Sequence, residues 1–430
     1  MEGIKKVLCI SSLDTSGLAG IAGDINALSH LGVLPLPVIV NAAIETQEAV
    51  VKVVPMEREF VESAIRTGLS EKPEVVKLGM LGKNTRIVAE LLPSDLPVVA
   101  DPVFLSTSGY LFASKSEIET FGEKIAKRAA LITPNLAEAE LLLGMKIRTE
   151  DDARIACIEL HEKFGCGVLV KGGHLGATDY LAWEGKIHTL KGVRVERPLR
   201  GTGCVLASLI AGHLAKGYGI LEAARKSKAL MDVLIAESEF AGKKYWINPC
   251  GVLKRDAERW KTWYGLSEIV PRFLAVLRNE HIPEVGINIG FAMPGAKTKQ
   301  DVCAIDGRIV RTTEGPRPSG PVKFGAGDHV PRIILAVMKF EKEKRCAMNL
   351  RYTRECVEKA KNLGFVVGTF SRTLDPGQGT MEWGIEQAVK NAGRVPDLIY
   401  DTGDVGKEPM IRLIAENPEK LLEKLRKLVG

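Results

Sequence analysis

A chain of 430 residues is longer than one hydrophobic core usually organises and fits two domains of ordinary size. Hydrophobic residues make up 45% and charged residues 26%, a globular balance, and no apolar run approaches the roughly 18–20 residues that cross a bilayer. The net charge of +6 is scattered rather than gathered in a tract, so phosphorylated metabolites are expected as partners and nucleic acid is not. The opening MEGIKKVLCISS runs from a short basic lead straight into a strand-like segment. It lacks the apolar region and small-residue cleavage site of a signal peptide, which predicts a cytoplasmic protein without a membrane partner. Eight cysteines lie singly between Cys9 and Cys356, none in CxxC spacing, so reduced thiols are expected rather than a zinc or redox motif.

In chain order, short apolar runs predict strands at Lys6–Ile10, Pro37–Ala43, Val75–Met80, Pro97–Ala100, Leu131–Thr133 and Gly167–Val170. Amphipathic stretches between them predict helices over Ala19–Leu31, Glu57–Ser70, Glu117–Ala129 and Glu150–Lys163. This alternation implies a mostly parallel sheet with helices on both faces. A hairpin over Tyr180–Leu190, turning at Glu184-Gly185, leads to Arg200 and two further helices, Thr202–Lys216 and Ile220–Glu239. Periodicity breaks at 242–257, read as a linker between a domain at 1–241 and one at 258–430. A second, smaller α/β domain is expected there. Its strands are Val285–Ala292, Cys346–Leu350, Phe365–Thr369 and Leu398–Tyr400, and its helices are Leu266–His281, 331–343, 353–363 and 380–392.

The sharpest local signal is Gly201-Thr202-Gly203-Cys204 opening a helix. Glycines there let successive N–H groups point outward at the positive end of a helix, which suits a transferring phosphoryl group. Cys204 in that field is expected to have a lowered pKa and to serve as the base for a substrate hydroxyl. Taken alone, the tetrapeptide reads equally as a helix start with a buried structural cysteine. Polar clusters after three other strands, Asp101-Pro102-Val103, Thr133-Pro134-Asn135 through Glu138, and Lys171-Gly172-Gly173-His174, favour a ligand site at the carboxyl ends of the sheet. Asn135 and Glu138 share a first helical turn and could hold water on Mg²⁺.

These residues resemble the ribokinase superfamily, and within it the hydroxymethylpyrimidine and hydroxymethylpyrimidine-phosphate kinases of thiamine biosynthesis. The resemblance rests on DTSGLAGIAGD at 14–24, KLGMLG at 77–82, DPV at 101–103, TPNLAEAE at 133–140, VKGGH at 170–174 and GTGC at 201–204. It implies an ATP- and Mg²⁺-dependent kinase acting first on the hydroxymethyl group and then on the monophosphate. By that resemblance Cys204 is the base and Gly201, Thr202 and Gly203 form the anion hole. Asp14, Asp24, Glu45, Met80 and Val103 belong to the substrate pocket, Lys171, Asn135 and Glu138 to the nucleotide and its cofactor, and Asp101 and Glu138 to the metal. The chain departs from the pattern at Leu18 and Ala22, where a Gly and a Gln are usual. It departs again at Glu45-Thr46-Gln47, which stands where Gln-Asn-Thr is common, and at Arg200, which replaces a His. Glu45 is therefore expected to set substrate choice, and Glu45→Gln to preserve or improve use of the pyrimidine.

In the second half, Gly-rich turns carry Lys323, Arg332, Arg372 and Lys407, and His329 stands ahead of an apolar helix. The Lys407 turn reads equally as a loop with a solvated side chain, and a lone His at a helix start is more often an incidental polar residue than a catalyst. The stretch from about Leu266 resembles the archaeal-type thiamine-phosphate synthase domain, ThiN. The matching pieces are PEVGINIGFAMPGAKTKQDV at 283–302, DGRIVR at 306–311, GPVKFGAGDHVPR at 320–332, NLRY at 349–352, MEWGIEQAV at 381–389 and PDLIYDTGDVGKEPM at 396–410. The resemblance implies condensation of the pyrimidine diphosphate with thiazole phosphate. Arg308 and His329 are expected to act on the leaving diphosphate, with Arg311, Lys323, Arg332 and Lys407 as further phosphate contacts. Two other readings stay open: a pyridoxal-type kinase, which shares the GTGC turn, and a C-terminal domain that senses thiamine phosphate without turnover. A homodimer is expected from the kinase resemblance.

Overall fold

The computed structural model describes residues 3–106, 108–173, 175–193, 195–371, 380–404 and 406–430; His174 and Arg372 lie outside the described residues. The chain divides into two compact units, Met1–Leu253 and Lys254–Gly430.

The first unit is built on nine strands. In chain order they are β1 (Lys6–Asp14), β2 (Leu34–Glu45), β3 (Val50–Pro55), β4 (Val75–Leu78), β5 (Val98–Ala100), β6 (Leu131–Ile132), β7 (Gly167–Val170), β8 (Thr178–Trp183) and β9 (Lys186–Lys191). Their spatial order is β3-β2-β1-β4-β5-β6-β7-β8-β9. The β2-β1-β4-β5-β6-β7 stretch is parallel, and β3, β8 and β9 add antiparallel edges. Continuous apolar runs form the central strands because both faces are covered. Leu8, Ile10, Val76 and Leu78 pack into one layer, and Val7, Cys9 and Val75 into the opposite one. Helices Arg58–Ser70 and Glu150–Phe164 contribute to the first layer, Gly20–His30, Thr202–Ala215 and Ile220–Ala236 to the second. The edge strand β3 was not visible in the sequence. Its VVKVVP exposes much of both faces and lacks a clean alternation. The expected helix over Glu117–Ala129 is instead a capped turn, Lys115–Thr120, continuing through π and 3₁₀ segments.

A small sheet of β10 (Leu199–Arg200), β11 (Glu239–Phe240) and β12 (Tyr245–Trp246) follows, then helix Pro249–Val276. Residues 242–257 thus carry β12 and the start of that helix.

The second unit holds β13 (Ile289–Ala292), β14 (Val302–Ile305), β15 (Ile309–Val310), β16 (Arg317–Pro318), β17 (Val322–Phe324), β18 (Cys346–Arg351), β19 (Val367–Thr369), β20 (Leu398–Asp401) and β21 (Met410–Ala415). Seven form a sheet in the order β17-β14-β13-β18-β21-β20-β19, antiparallel except for β19 with β20. Helices Pro249–Val276 and Pro418–Val429 line one face through Phe273, Leu421 and Leu425, and His329–Met338 and Thr380–Ala392 the other through Ile334 and Ile385.

Candidate functional site

Two sites take shape, one in each unit. In the first, the carboxyl ends of β1, β2, β5 and β7 converge on the start of helix Thr202–Ala215. Gly201 is the helix N-cap at φ +81°, and a Cβ there would lie 2.2 Å from the Leu18 carbonyl oxygen, so only glycine closes the turn. Gly203 has the second close approach: a Cβ would stand 2.9 Å from Lys171 Nζ and 3.9 Å from Asp101 Oδ2. Lys171 donates to Asp101 Oδ1 at 2.7 Å, and Thr133 Oγ1 donates to the same oxygen at 2.9 Å. An ammonium and a buried carboxylate are therefore fixed against the helix start. Burial alone would lower the Lys171 pKa, but Asp101 and Glu138 outweigh it and raise it, so the ammonium stays charged.

Asn135 and Glu138 form a reciprocal capping box, Asn135 Oδ1 accepting from Glu138 N at 2.9 Å and Glu138 Oε2 from Asn135 N at 2.7 Å. Glu138 is buried, which pushes its carboxyl up to about 8. Met80 is also buried, its sulfur 3.0 Å from Ser12 Oγ, while Val103 keeps partial exposure.

Two expectations are corrected here, and a third residue gains a partner. Asp24 has no exposed surface. Its Oδ1 accepts from Lys77 Nζ and Ser208 Oγ, both at 2.7 Å, so it anchors the helix Gly20–His30 to β4 instead of lining the substrate pocket. The Cys204 thiol is not depressed. Burial pushes it up to about 12, and Asp101 and Asp24 add to the effect of burial against the opposing pull of Lys77 and Lys171. Glu45 does not stand alone: its carboxylate is ion-paired with Arg200, whose Nη2 also lies 3.5 Å from Asp14 Oδ2. The two departures from the kinase pattern, at 45 and 200, touch each other.

In the second unit a cavity of about 340 Å³ is lined by Arg308, His329, Arg332, Lys407 and Arg412, with Asn349, Glu408 and apolar Val285, Val330, Ile333 and Met410. Cations outnumber the single carboxylate in this lining, which suits an anionic ligand. His329 is the first residue of its helix, and Lys407 sits in a turn closed by a backbone hydrogen bond from its N–H to the Asp404 carbonyl at 2.8 Å. Burial lowers the His329 pKa, and Arg308 and Arg332 reinforce this while Asp328 opposes it, so the imidazole is neutral at pH 7.

Arg311 and Lys323 do not join this cavity lining. Arg311 Nε donates to the Ile282 carbonyl at 3.1 Å, and Lys323 is exposed and 3.6 Å from Asp306. Arg412 was missed. Its Nη2 lies 2.7 Å from Asp401 Oδ2, both side chains only 1% exposed, and Asp401 Oδ1 accepts from Gly403 N at 2.9 Å. This pair fixes the start of the loop that carries Lys407. A lone Arg inside the apolar MIRLIA, like Lys77 inside VVKL, was the available sequence signal, since a cation in a buried strand needs a partner.

Comparison with known proteins matches a separate family profile to each half of the chain. The phosphomethylpyrimidine kinase family profile matches residues 14–248, and the profile described as thiamine-phosphate synthase ThiN matches residues 266–427. The bifunctional thiamine biosynthesis protein ThiDN of Methanocaldococcus jannaschii is 31% identical over 97% of this chain and 97% of its own length. The hydroxymethylpyrimidine/phosphomethylpyrimidine kinase of Aquifex aeolicus is 32% identical over 56% of this chain and 98% of its own. In fold, the first unit is similar to Staphylococcus aureus pyridoxal kinase solved with ADP, at a TM-score of 0.54 and 24% identity, covering 58% of this chain and 95% of that one. With matches that run in order through both units, the chain belongs to the family of bifunctional thiamine-biosynthesis proteins that join a phosphomethylpyrimidine kinase to a ThiN-type thiamine-phosphate synthase.

Proposed function

We propose that the first unit phosphorylates 4-amino-5-hydroxymethyl-2-methylpyrimidine and then its monophosphate with ATP, and that the second unit condenses the diphosphate with thiazole phosphate. The observation that carries this reading is the gathering of Arg308, His329, Arg332 and Lys407 around one cavity, in a chain that also holds the Lys171–Asp101 pair at an anion-binding helix start.

In the kinase step the substrate oxygen attacks the γ-phosphorus and the bond to ADP breaks. The N–H groups of Gly201, Thr202 and Gly203 and the Lys171 ammonium hold the charge of the moving group. Cys204 takes the hydroxyl proton in its thiolate form. With a thiol at about 12 that form is a minor species at neutral pH, and its share rises with pH. Asp101 and Glu138 are suited to Mg²⁺: they would share it with phosphate oxygens and water, the ion displacing the proton that burial otherwise keeps on Glu138. Among the described residues no group of three or more His, Cys, Asp and Glu side chains forms an all-protein cage. When bound, the ion neutralises phosphate charge.

In the synthase step the bond from methylene carbon to diphosphate oxygen breaks, its electron pair leaving with diphosphate, and the thiazole nitrogen forms the new carbon–nitrogen bond. Arg308, Lys407 and Arg412 hold the departing charge, and neutral His329 donates a hydrogen bond. The test supplies the hydroxymethylpyrimidine, thiazole phosphate, ATP and Mg²⁺ to the full chain and seeks thiamine phosphate by mass. Thiamine phosphate formation is expected. Binding of added thiamine phosphate without any turnover would favour a sensor, and phosphorylation of pyridoxal alone would favour the other kinase class.

A further inference from the structure

Asp14 and Glu45 are the last residues of β1 and β2, and Arg200 is the residue before the Gly201 cap. Their side chains are 5%, 5% and 11% exposed. Two nearly buried carboxylates thus face one guanidinium, an excess of one negative charge. Asp14 Oδ1 accepts from Ser16 N at 2.7 Å, while Asp14 Oδ2 is buried without a hydrogen bond. A buried excess charge with an unsatisfied acceptor is costly unless a ligand supplies a donor. The cluster lies against the turn where phosphoryl groups are handled, and its guanidinium has the planar fork that grips phosphate with two hydrogen bonds.

Resting on the two-step kinase reading above, we propose that Glu45 and Arg200 form an exchangeable pair, and that Arg200 determines acceptance of the monophosphate in the second phosphoryl transfer. The pyrimidine monophosphate carries its amine and its phosphomethyl group on neighbouring ring carbons. Its amine takes the Glu45 and Asp14 carboxylates, filling the unsatisfied acceptor, and its phosphate takes the released guanidinium. The alcohol substrate of the first step offers the same amine but no charge. Only the second step then needs a cation beside the acceptor, because a phosphate monoester entering next to two carboxylates would otherwise be repelled. Among the described residues, Lys77 is fully enclosed with Asp24, and Lys171, paired with Asp101, is taken up by the transferring phosphoryl group at the helix start.

The test compares the full-length wild type with Arg200→Gln and Arg200→Lys. It measures kcat/KM separately for the alcohol and the monophosphate, with a melting curve for each variant. Arg200→Gln is expected to lose at least about tenfold more on the monophosphate than on the alcohol, with Arg200→Lys intermediate. The monophosphate should also raise the melting temperature of wild type far more than that of Arg200→Gln. Equal losses on both substrates, or no loss on the monophosphate, would overturn the proposal. If Arg200→Gln fails to fold, Arg200→Lys decides by the same ratio. A wild type that phosphorylates neither substrate would instead overturn the kinase reading itself.

Discussion

Lys171 Nζ lies 2.7 Å from Asp101 Oδ1, and it stands only 2.9 Å from where a Cβ at Gly203 would lie. The end of β5, the end of β7 and the start of helix Thr202–Ala215 are therefore locked to one another by a missing Cβ. Gly203→Ala is expected to displace Lys171 and lower kinase kcat/KM at least about tenfold, the cost of misplacing one charge-stabilising group. The helix itself should persist, since Ala is a better helix former than Gly. Steady-state kinetics with a circular-dichroism melt check this; unchanged kcat/KM would mean that Lys171 does not act on the phosphoryl group.

Cys204 gives the kinase a pH signature. A thiol raised to about 12 is protonated throughout the neutral range, so the thiolate share grows about tenfold per pH unit. The kinase kcat/KM is expected to climb from pH 6.5 to 9 without a plateau. Cys204→Ala should lower the rate by about 10²–10⁴ and flatten the slope. A rise that survives in the Ala variant would assign the base to another group.

Glu45→Gln reads differently once its partner is known. The sequence suggested that Gln would preserve the activity, but the substitution strips the mostly buried Arg200 of its main counter-charge and leaves it only Asp14 at 3.5 Å. A destabilisation of about 1–3 kcal/mol and lower pyrimidine turnover are expected. Glu45→Gln with Arg200→His, which restores the common family pair, should recover part of both. Additive effects in this double-mutant cycle would show that the two positions are independent.

The second unit separates functional from structural cations. Arg308→Ala and His329→Ala should each depress thiamine phosphate formation at least about tenfold, whereas exposed Lys323→Ala should stay near wild type. His329 also bears on stability. Its folded pKa is below the ordinary 6.5, so the unfolded chain binds the proton more readily. Its contribution is complete above about pH 6.5 and is lost as pH falls below that value. Chemical denaturation of wild type and His329→Ala between pH 5 and 8 measures the difference; a stability gain for wild type on acidification would contradict the placement.

Much of the first unit was legible because parallel strands buried on both faces are written as unbroken apolar runs, and Gly167–Val170 has the predicted limits. Local motifs also carried Gly201–Cys204 and the Asn135–Glu138 turn. Long-range pairing was not legible. The antiparallel order of the second sheet joins β18 to β21 across more than fifty residues, and no local pattern encodes that choice. Asp24 and Arg311 looked available because their partners Lys77, Ser208 and the Ile282 carbonyl are distant in sequence. The direction of the Cys204 shift likewise depends on enclosure, which the helix start alone does not reveal.

The most direct test of two separate activities in one chain uses two full-length variants, Cys204→Ala and Arg308→Ala, each given two substrate mixtures. One mixture holds the hydroxymethylpyrimidine, thiazole phosphate, ATP and Mg²⁺. The other holds preformed pyrimidine diphosphate, thiazole phosphate and Mg²⁺ without ATP. Cys204→Ala is expected to make thiamine phosphate from the second mixture and almost none from the first. Arg308→Ala is expected to accumulate pyrimidine diphosphate in the first and make little thiamine phosphate from either. Thiamine phosphate absent from wild type given the second mixture, or a Cys204→Ala defect equal in both, would contradict the account.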